Sequence, residues 1–212
     1  MSRDPVLEQF FSQDLVESLT REVLQNALDA QASKEPVRVI FSIVEDSGRK
    51  YSKYFSGLEE HLTSSGYPSP TFAGAKHLII EDFGTSGLTG DPLASPIDSE
   101  SIEGNNFFSF FRNIGRSQKQ GENNFGSWGV GKAVLPTISE ISSFIALTVR
   151  DSDKQRLSLG HSVLRKHRIK KTNYDPYGYF STNFAGNVFA TPIIEAKTLH
   201  QLFKDLGLTH RI

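Results

Sequence analysis

The chain has 212 residues, of which 37% are hydrophobic and 22% charged, so one domain with a packed core is feasible. Its formal net charge of −1 argues neither for nor against a nucleic-acid partner, and the absence of cysteine excludes disulfide bonds and thiolate zinc sites. No apolar run is long enough to cross a bilayer and the N-terminus lacks the apolar segment of a signal peptide, so a cytoplasmic location is expected.

The first predicted element is a helix that begins at the N-cap residue Asp14 and runs to about Ala32. At about 100° per residue, Asn26 lies roughly 40° to one side of Glu22, and Asp29 roughly 20° to the other side. These polar side chains therefore form a narrow stripe beside the apolar face. The stripe is either a solvated helix face or a site that uses one base and one metal ligand.

Strands and a short helix follow this first helix. Val37–Val44 alternates between polar and apolar residues, which predicts a strand, and Tyr51–Phe55 is its predicted partner. A short helix is predicted over 58–65. The apolar run His77–Ile80 predicts a buried central strand.

Asp82 stands where this central strand is predicted to end and a glycine-containing turn to begin. A carboxylate in that position can accept a hydrogen bond from an exocyclic amine such as adenine N6. Gly84 and Gly87 would allow a flat base to lie against the backbone. The alternative is a simple turn in which the aspartate binds neighbouring backbone groups.

Residues 85–128 are rich in Gly, Ser, Asn and Pro, apart from the aromatic cluster Phe107–Phe111. A long segment of this composition within a compact domain is usually functional, so we predict a lid. The aromatic cluster is interpreted as a lid helix packed on its own core, with a dimer contact as the alternative.

Gly126, Gly131 and Lys132 match the first part of a P-loop, but Ala133 stands where a P-loop has Ser or Thr. The residues before Gly126 also lack the pattern of a strand. Glycines followed by a helix N-terminus nevertheless suit close approach to an anion. We therefore predict a phosphate cradle of another kind, the alternative being a flexible glycine loop.

The remaining predicted elements are a helix over 132–138, strands over 143–150, 156–164 and 188–194, and a helix over 197–206. The stretch 161–171 is strongly basic. It is interpreted as the solvated edge of a sheet, with contact to nucleic acid or an acidic partner as the alternative.

Three segments now stand in a fixed order: Glu22-x-x-x-Asn26-x-x-Asp29-Ala30, Asp82-x-Gly84, and a glycine-rich turn into a helix. This order resembles the GHKL ATPases, the Bergerat-fold superfamily of gyrase B, the heat-shock-90 chaperones, histidine kinases and MutL. The segments 111–117 and 186–192 resemble the chaperone lid and the family's final strand motif. The resemblance spans roughly residues 14–194 and favours the MutL, MORC and chaperone branch.

The resemblance implies an α/β (α+β) two-layer sandwich with a mixed, mainly antiparallel sheet, helices on one face and a long lid. It makes Glu22 the general base and Asn26 the magnesium ligand, with Asp29 orienting its neighbours. It assigns Asp82 to the adenine amine, with Gly84 and Gly87 beside the base.

Other site residues also follow from the resemblance. Thr191 or Asn187 would support the adenine side. The residues implied for phosphate binding are Gly126, Gly129, Val130, Gly131 and Lys132. The chain departs from the family pattern in two places. The turn after Asp82 has one residue more between its glycines than the family's D-x-G-x-G motif, and Asn187 occupies a position where Thr is usual.

The function implied by the resemblance is magnesium-dependent binding of ATP and its slow hydrolysis to ADP and phosphate. ATP would close the lid and promote a homodimer or signal to further domains, and the chain would be the N-terminal module of a longer protein. No membrane partner is expected. Two alternatives stay open: an ATP sensor that does not hydrolyse its ligand, and a nucleic-acid-binding domain that uses the basic stretch 161–171.

Overall fold

The computed structural model describes residues 14–45, 52–68, 74–94, 104–112, 133–182 and 190–208. These residues form an α+β structure, as predicted. In chain order the elements are α1 (Leu15–Asp29), β1 (Arg38–Glu45), a 3-10 helix (Ser52–Phe55), α2 (Leu58–Ser64), β2 (Lys76–Phe83), α3 (Asn106–Arg112), α4 (Val134–Ile138), β3 (Ser143–Val149), β4 (Arg156–Val163), β5 (His167–Ile169), β6 (Thr172–Tyr174), β7 (Tyr177–Phe180) and α5 (Ala196–Asp205).

The described strands form three antiparallel sheets rather than the single mixed sheet that was expected. β1 pairs with β2, β4 lies between β3 and β7, and β5 pairs with β6. The predicted last strand is described from residue 190 onward. Ile193 exchanges backbone hydrogen bonds of 3.0 and 2.8 Å with Ser158 of β4. Thr191 bridges to Thr182 just after β7, so this segment extends the three-stranded sheet.

The three-stranded sheet carries a helix on each face. Successive side chains of a strand point to opposite faces, so Ala146 and Leu147 of β3 belong to different cores. Ala146 packs against a cluster contributed by α3 and β4, formed by Phe107, Phe111, Leu157 and Leu159. Leu147 packs against a cluster contributed mainly by α5, formed by Ile193, Leu199 and Phe203. The prediction of helices on one face only is therefore wrong for this sheet.

The segment predicted to be the partner strand of β1 is instead a 3-10 helix over Ser52–Phe55. Contacts with distant residues explain the difference, since the Tyr54 ring lies edge-on against Phe180 with the ring centroids 5.8 Å apart. The Tyr54 hydroxyl donates to Asp205 Oδ2 at 2.6 Å. The 3-10 helix is thereby attached to α5.

β2, and not the 3-10 helix, is the partner of β1. Its predicted character as a buried central strand is wrong, because Leu78 is 44% exposed and its cross-strand neighbour Ile43 is 74% exposed. Among the described strands, β2 pairs only with β1, so it is not central in a sheet. A short apolar run can therefore have one face in solvent, which periodicity alone does not reveal.

Apart from the C-terminal end of α1, the other predicted helices and strands agree with the structure to within two residues where they are described. β5, β6 and β7 were not predicted, and the first two form a hairpin that begins within the basic stretch and ends just after it. Within the described ranges, no helix combines the length and the apolar character needed to span a bilayer.

Candidate functional site

The helix α1 holds a carboxylate and an amide in direct contact. Asn26 Nδ2 donates to Glu22 Oε1 at 2.9 Å, one helical turn away. Gln25 Nε2 donates to Asp29 Oδ1 at 2.8 Å in the same way. Glu22 is half-buried, whereas Asn26 and Asp29 are exposed. The side chains of the predicted polar stripe are therefore held by two hydrogen bonds, one within the stripe and one donated by the adjacent Gln25.

The C-terminal end of α1 is joined to the residues that follow β2, which we name the glycine turn (residues 84–90). Ser86 N donates to Ala30 O at 2.8 Å, and Ala32 N donates to Gly84 O at 2.9 Å. This pairing explains why α1 ends at Asp29, three residues before the predicted end. It also brings the C-terminal end of that helix next to the turn that follows Asp82.

Asp82 is the last but one residue of β2 and is half-buried. Its Oδ2 accepts a hydrogen bond from the Thr85 hydroxyl. A carboxylate can accept hydrogen bonds from several donors, and this bond orients the group. Sequence reasoning missed Thr85, although a hydroxyl three residues after an aspartate at a strand end is a recognised turn signal.

Gly84 and Gly87 both have positive φ, of 80° and 72°. Each passes close to the protein's own backbone. A Cβ at Gly84 would lie 3.3 Å from Pro36 O, and one at Gly87 would lie 2.6 Å from Val149 O. Their glycine identity is thus explained by local packing and conformation. The role of either glycine beside a base stays a prediction.

α4 packs against α1 and begins directly after the predicted phosphate cradle. Val134 is buried in this region. The predicted phosphate-binding residues themselves lie outside the described residues: Gly126, Gly129, Val130, Gly131 and Lys132. Asn187 also lies outside them.

Thr191 is 1% exposed and its hydroxyl donates to Thr182 O at 2.8 Å. This hydrogen bond lies at the edge of the three-stranded sheet. The structure therefore gives Thr191 a packing role, and its support of an adenine stays a prediction.

The described parts of the predicted lid are anchored in the body of the protein. Asn105 caps α3 by accepting from Phe108 N at 2.9 Å, and Phe107 N donates to Thr89 O at 2.9 Å. Phe107 and Phe111 are each 1% exposed in the core cluster on β4. The aromatic cluster thus packs on the three-stranded sheet. Residues 95–103 and 113–128 of the predicted lid lie outside the described residues.

The basic stretch 161–171 begins in the core. His161 is 2% exposed, its ring lies against the rings of Tyr177 and Tyr179, and neither ring nitrogen has a hydrogen-bond partner among the described residues. Burial lowers the pKa of His161 from 6.5 to about 4. The exposed cations of the stretch lie on the β5–β6 hairpin and beside it: Lys166, Arg168, Lys170 and Lys171.

A magnesium ion that arrives with a nucleotide needs only one or two protein oxygens, because phosphates and water complete its coordination. Asn26 fits this requirement, since its Nδ2 is engaged by Glu22 and its Oδ1 is the remaining ligand atom. In the described parts of the chain, no three His, Asp or Glu side chains gather into a metal-binding group.

Comparisons of the chain with protein-family models, with curated protein sequences and with solved structures found no match.

Proposed function

We propose that the chain binds magnesium-ATP beside α1 and the glycine turn, and hydrolyses it slowly to ADP and phosphate. The observation that carries this proposal is the pair of backbone hydrogen bonds from residues 30–32 to residues 84–86. Through them, two polar segments that are far apart in the sequence become neighbours. The proposed base and metal ligand on α1 would then share one site with the proposed amine acceptor Asp82.

Glu22 is the general base of the proposed reaction. Its Oε1 accepts from the Asn26 amide, which holds the carboxylate in one orientation on α1. Oε2 of Glu22 would then accept a proton from the attacking water. A base positioned in this way typically contributes 10²–10⁴-fold to a rate.

Asn26 would hold the magnesium ion through Oδ1, and the ion would neutralise charge on the nucleotide phosphates. The hydrogen bond between Asn26 and Glu22 links the metal ligand to the base. Loss of Asn26 would therefore affect binding and the orientation of Glu22 together, whereas a change at Glu22 would affect mainly turnover.

Asp82 would accept the amino group of adenine while Thr85 holds its other oxygen. Guanine presents a carbonyl oxygen at the corresponding edge, which would meet the carboxylate with no hydrogen between them. The proposed site therefore discriminates against GTP.

The Asp82→Asn variant is expected to bind ADP about 10–100-fold more weakly, because an acceptor of the amine is replaced by a donor that faces it. Asp91→Asn is the matched control, since Asp91 is exposed just after the glycine turn and its side chain accepts from Leu93 N. Titration calorimetry with ADP, ATP and GTP measures both variants. Equal affinity of the parent protein for ATP and GTP would contradict the role of Asp82.

ATP-driven closure of the lid, with dimerisation or signalling to further domains, belongs to the same proposal. Size-exclusion chromatography with a non-hydrolysable ATP analogue tests the dimer.

Binding measurements on the same protein distinguish the two alternative functions, an ATP sensor and a nucleic-acid-binding domain. Tight ATP binding without phosphate release identifies a sensor. Binding of an oligonucleotide, lost when the cations of the β5–β6 hairpin are neutralised, identifies a nucleic-acid-binding domain.

A further inference from the structure

The glycine turn is supported from one side by the end of β3 and the turn that follows it. Leu88 N donates to Thr148 Oγ1 at 2.8 Å, and Asp151 N donates to Ser86 O at 3.0 Å. Thr148 is itself 5% exposed. Two alternate residues of the glycine turn are therefore fixed by hydrogen bonds, one to the buried Thr148 of β3 and one to Asp151 in the turn that follows.

Arg150 extends this support to the far end of the glycine turn. Its Nη1 donates to Gly90 O at 2.8 Å. The rest of the guanidinium is held by the β3–β4 turn, with Nε donating to Asp153 Oδ1 at 3.0 Å and Nη2 to Gln155 Oε1 at 2.8 Å. The Arg150 side chain is 11% exposed. Its guanidinium is therefore held by hydrogen bonds to the protein and is largely shielded from solvent.

Steric contact adds to the hydrogen bonds. A Cβ on Gly87 would lie 2.8 Å from Thr148 Oγ1, so no other residue type fits between the turn and β3. The Leu88 side chain packs against the core cluster of α3 and β4. The position of the glycine turn is thus determined by β3 and by the core, not only by the end of α1.

We propose that Thr148 and Arg150 are positioning residues that fix the position and orientation of the glycine turn relative to β3. They thereby determine the affinity for the adenine base. This inference rests on the proposed function. Among the hydrogen bonds of the described residues, none joins Thr148 or Arg150 to α1, the helix that carries Glu22 and Asn26. The two residues therefore act on binding of the base and not on the chemical step.

Thr148→Val tests the inference because it keeps the shape of the side chain and leaves Leu88 N without its acceptor. It is expected to raise the Kd for ADP and the KM for ATP about tenfold and to leave kcat within about twofold of the parent value. Thr148→Ser retains the hydroxyl and should restore both constants. Ser158→Ala is the matched control, since it removes a buried hydroxyl bond to Ala146 O in the neighbouring strand.

The outcomes are distinguishable. If the parent protein binds neither ADP nor ATP, the proposed function fails and this inference with it. If the parent binds them but Thr148→Val has the same KM, or loses kcat in equal measure, only the positioning role is overturned. The same change in Kd from Ser158→Ala would also overturn it. Should Thr148→Val not fold, Arg150→Lys takes its place, because lysine lacks the planar group that reaches Gly90 and Asp153 together.

Discussion

Replacing Glu22 by Gln is expected to lower the rate of ATP hydrolysis by roughly 10²-fold or more while leaving nucleotide affinity almost unchanged. Glutamine has the same shape and its amide oxygen can still accept from Asn26 Nδ2, so the metal ligand keeps its neighbour. It cannot accept a proton from water. Phosphate release under single-turnover conditions measures the rate, and calorimetry with ADP measures binding.

Glu17→Gln is the matched control for this experiment. Glu17 lies on the outer side of the same helix, in a shallow depression that it shares with Leu24 and Leu28. The change removes the same charge from α1, so it corrects for a general electrostatic effect on an anionic ligand. If Glu22→Gln hydrolyses ATP like the parent, or if Glu17→Gln is equally slow, Glu22 is not the base.

The stability of the protein is expected to fall in mild acid because of His161, and the His161→Leu variant should lose the part of this dependence that His161 contributes. The folded-state pKa is about 4, below the ordinary 6.5, so the unfolded chain binds more protons between these pH values. Stability is thus fully present above pH 6.5 and declines as the pH falls towards 4. The difference corresponds to roughly 3 kcal/mol of unfolding free energy.

Urea unfolding at several pH values between about 4 and 7 measures this effect. His200→Leu provides the control, because His200 is exposed on α5 and the substitution is the same. The control should keep the acid dependence of the parent protein. A His161→Leu variant that is as acid-sensitive as the parent would show that other groups cause the loss of stability.

The parts of the site that were predictable from sequence are local. The stripe of Glu22, Asn26 and Asp29 follows from helical periodicity, and the structure pairs the first two directly. The end of α1 was predicted too late because it depends on pairing with residues 84–86. The support from Thr148 and Arg150 has no sequence signal either, since both contact residues 60 positions away.

The fold shows the same division between local and distant causes. Most helices and strands were predictable from periodicity, whereas the number of sheets and the placement of helices on both faces of β4 were not. One face of β4 carries Ser158 and Gly160, which have no apolar pattern, yet both are buried. Their small size allows close neighbours, as the contact expected between a Cβ at Gly160 and Phe180 shows. Only the assembled structure reveals that α5 covers this face.

The attachment of the glycine turn to β3 also has a consequence for the order of folding. Contacts that close long loops lose more chain entropy and tend to form late. The bonds from Leu88 to Thr148 and from Gly90 to Arg150 each close a loop of 60 residues. During synthesis, α1 and β2 emerge from the ribosome well before β3 does. A nascent chain that ends before Thr148 therefore lacks the support of its glycine turn, and the proposed nucleotide site would be complete only after the β3–β4 turn has been made.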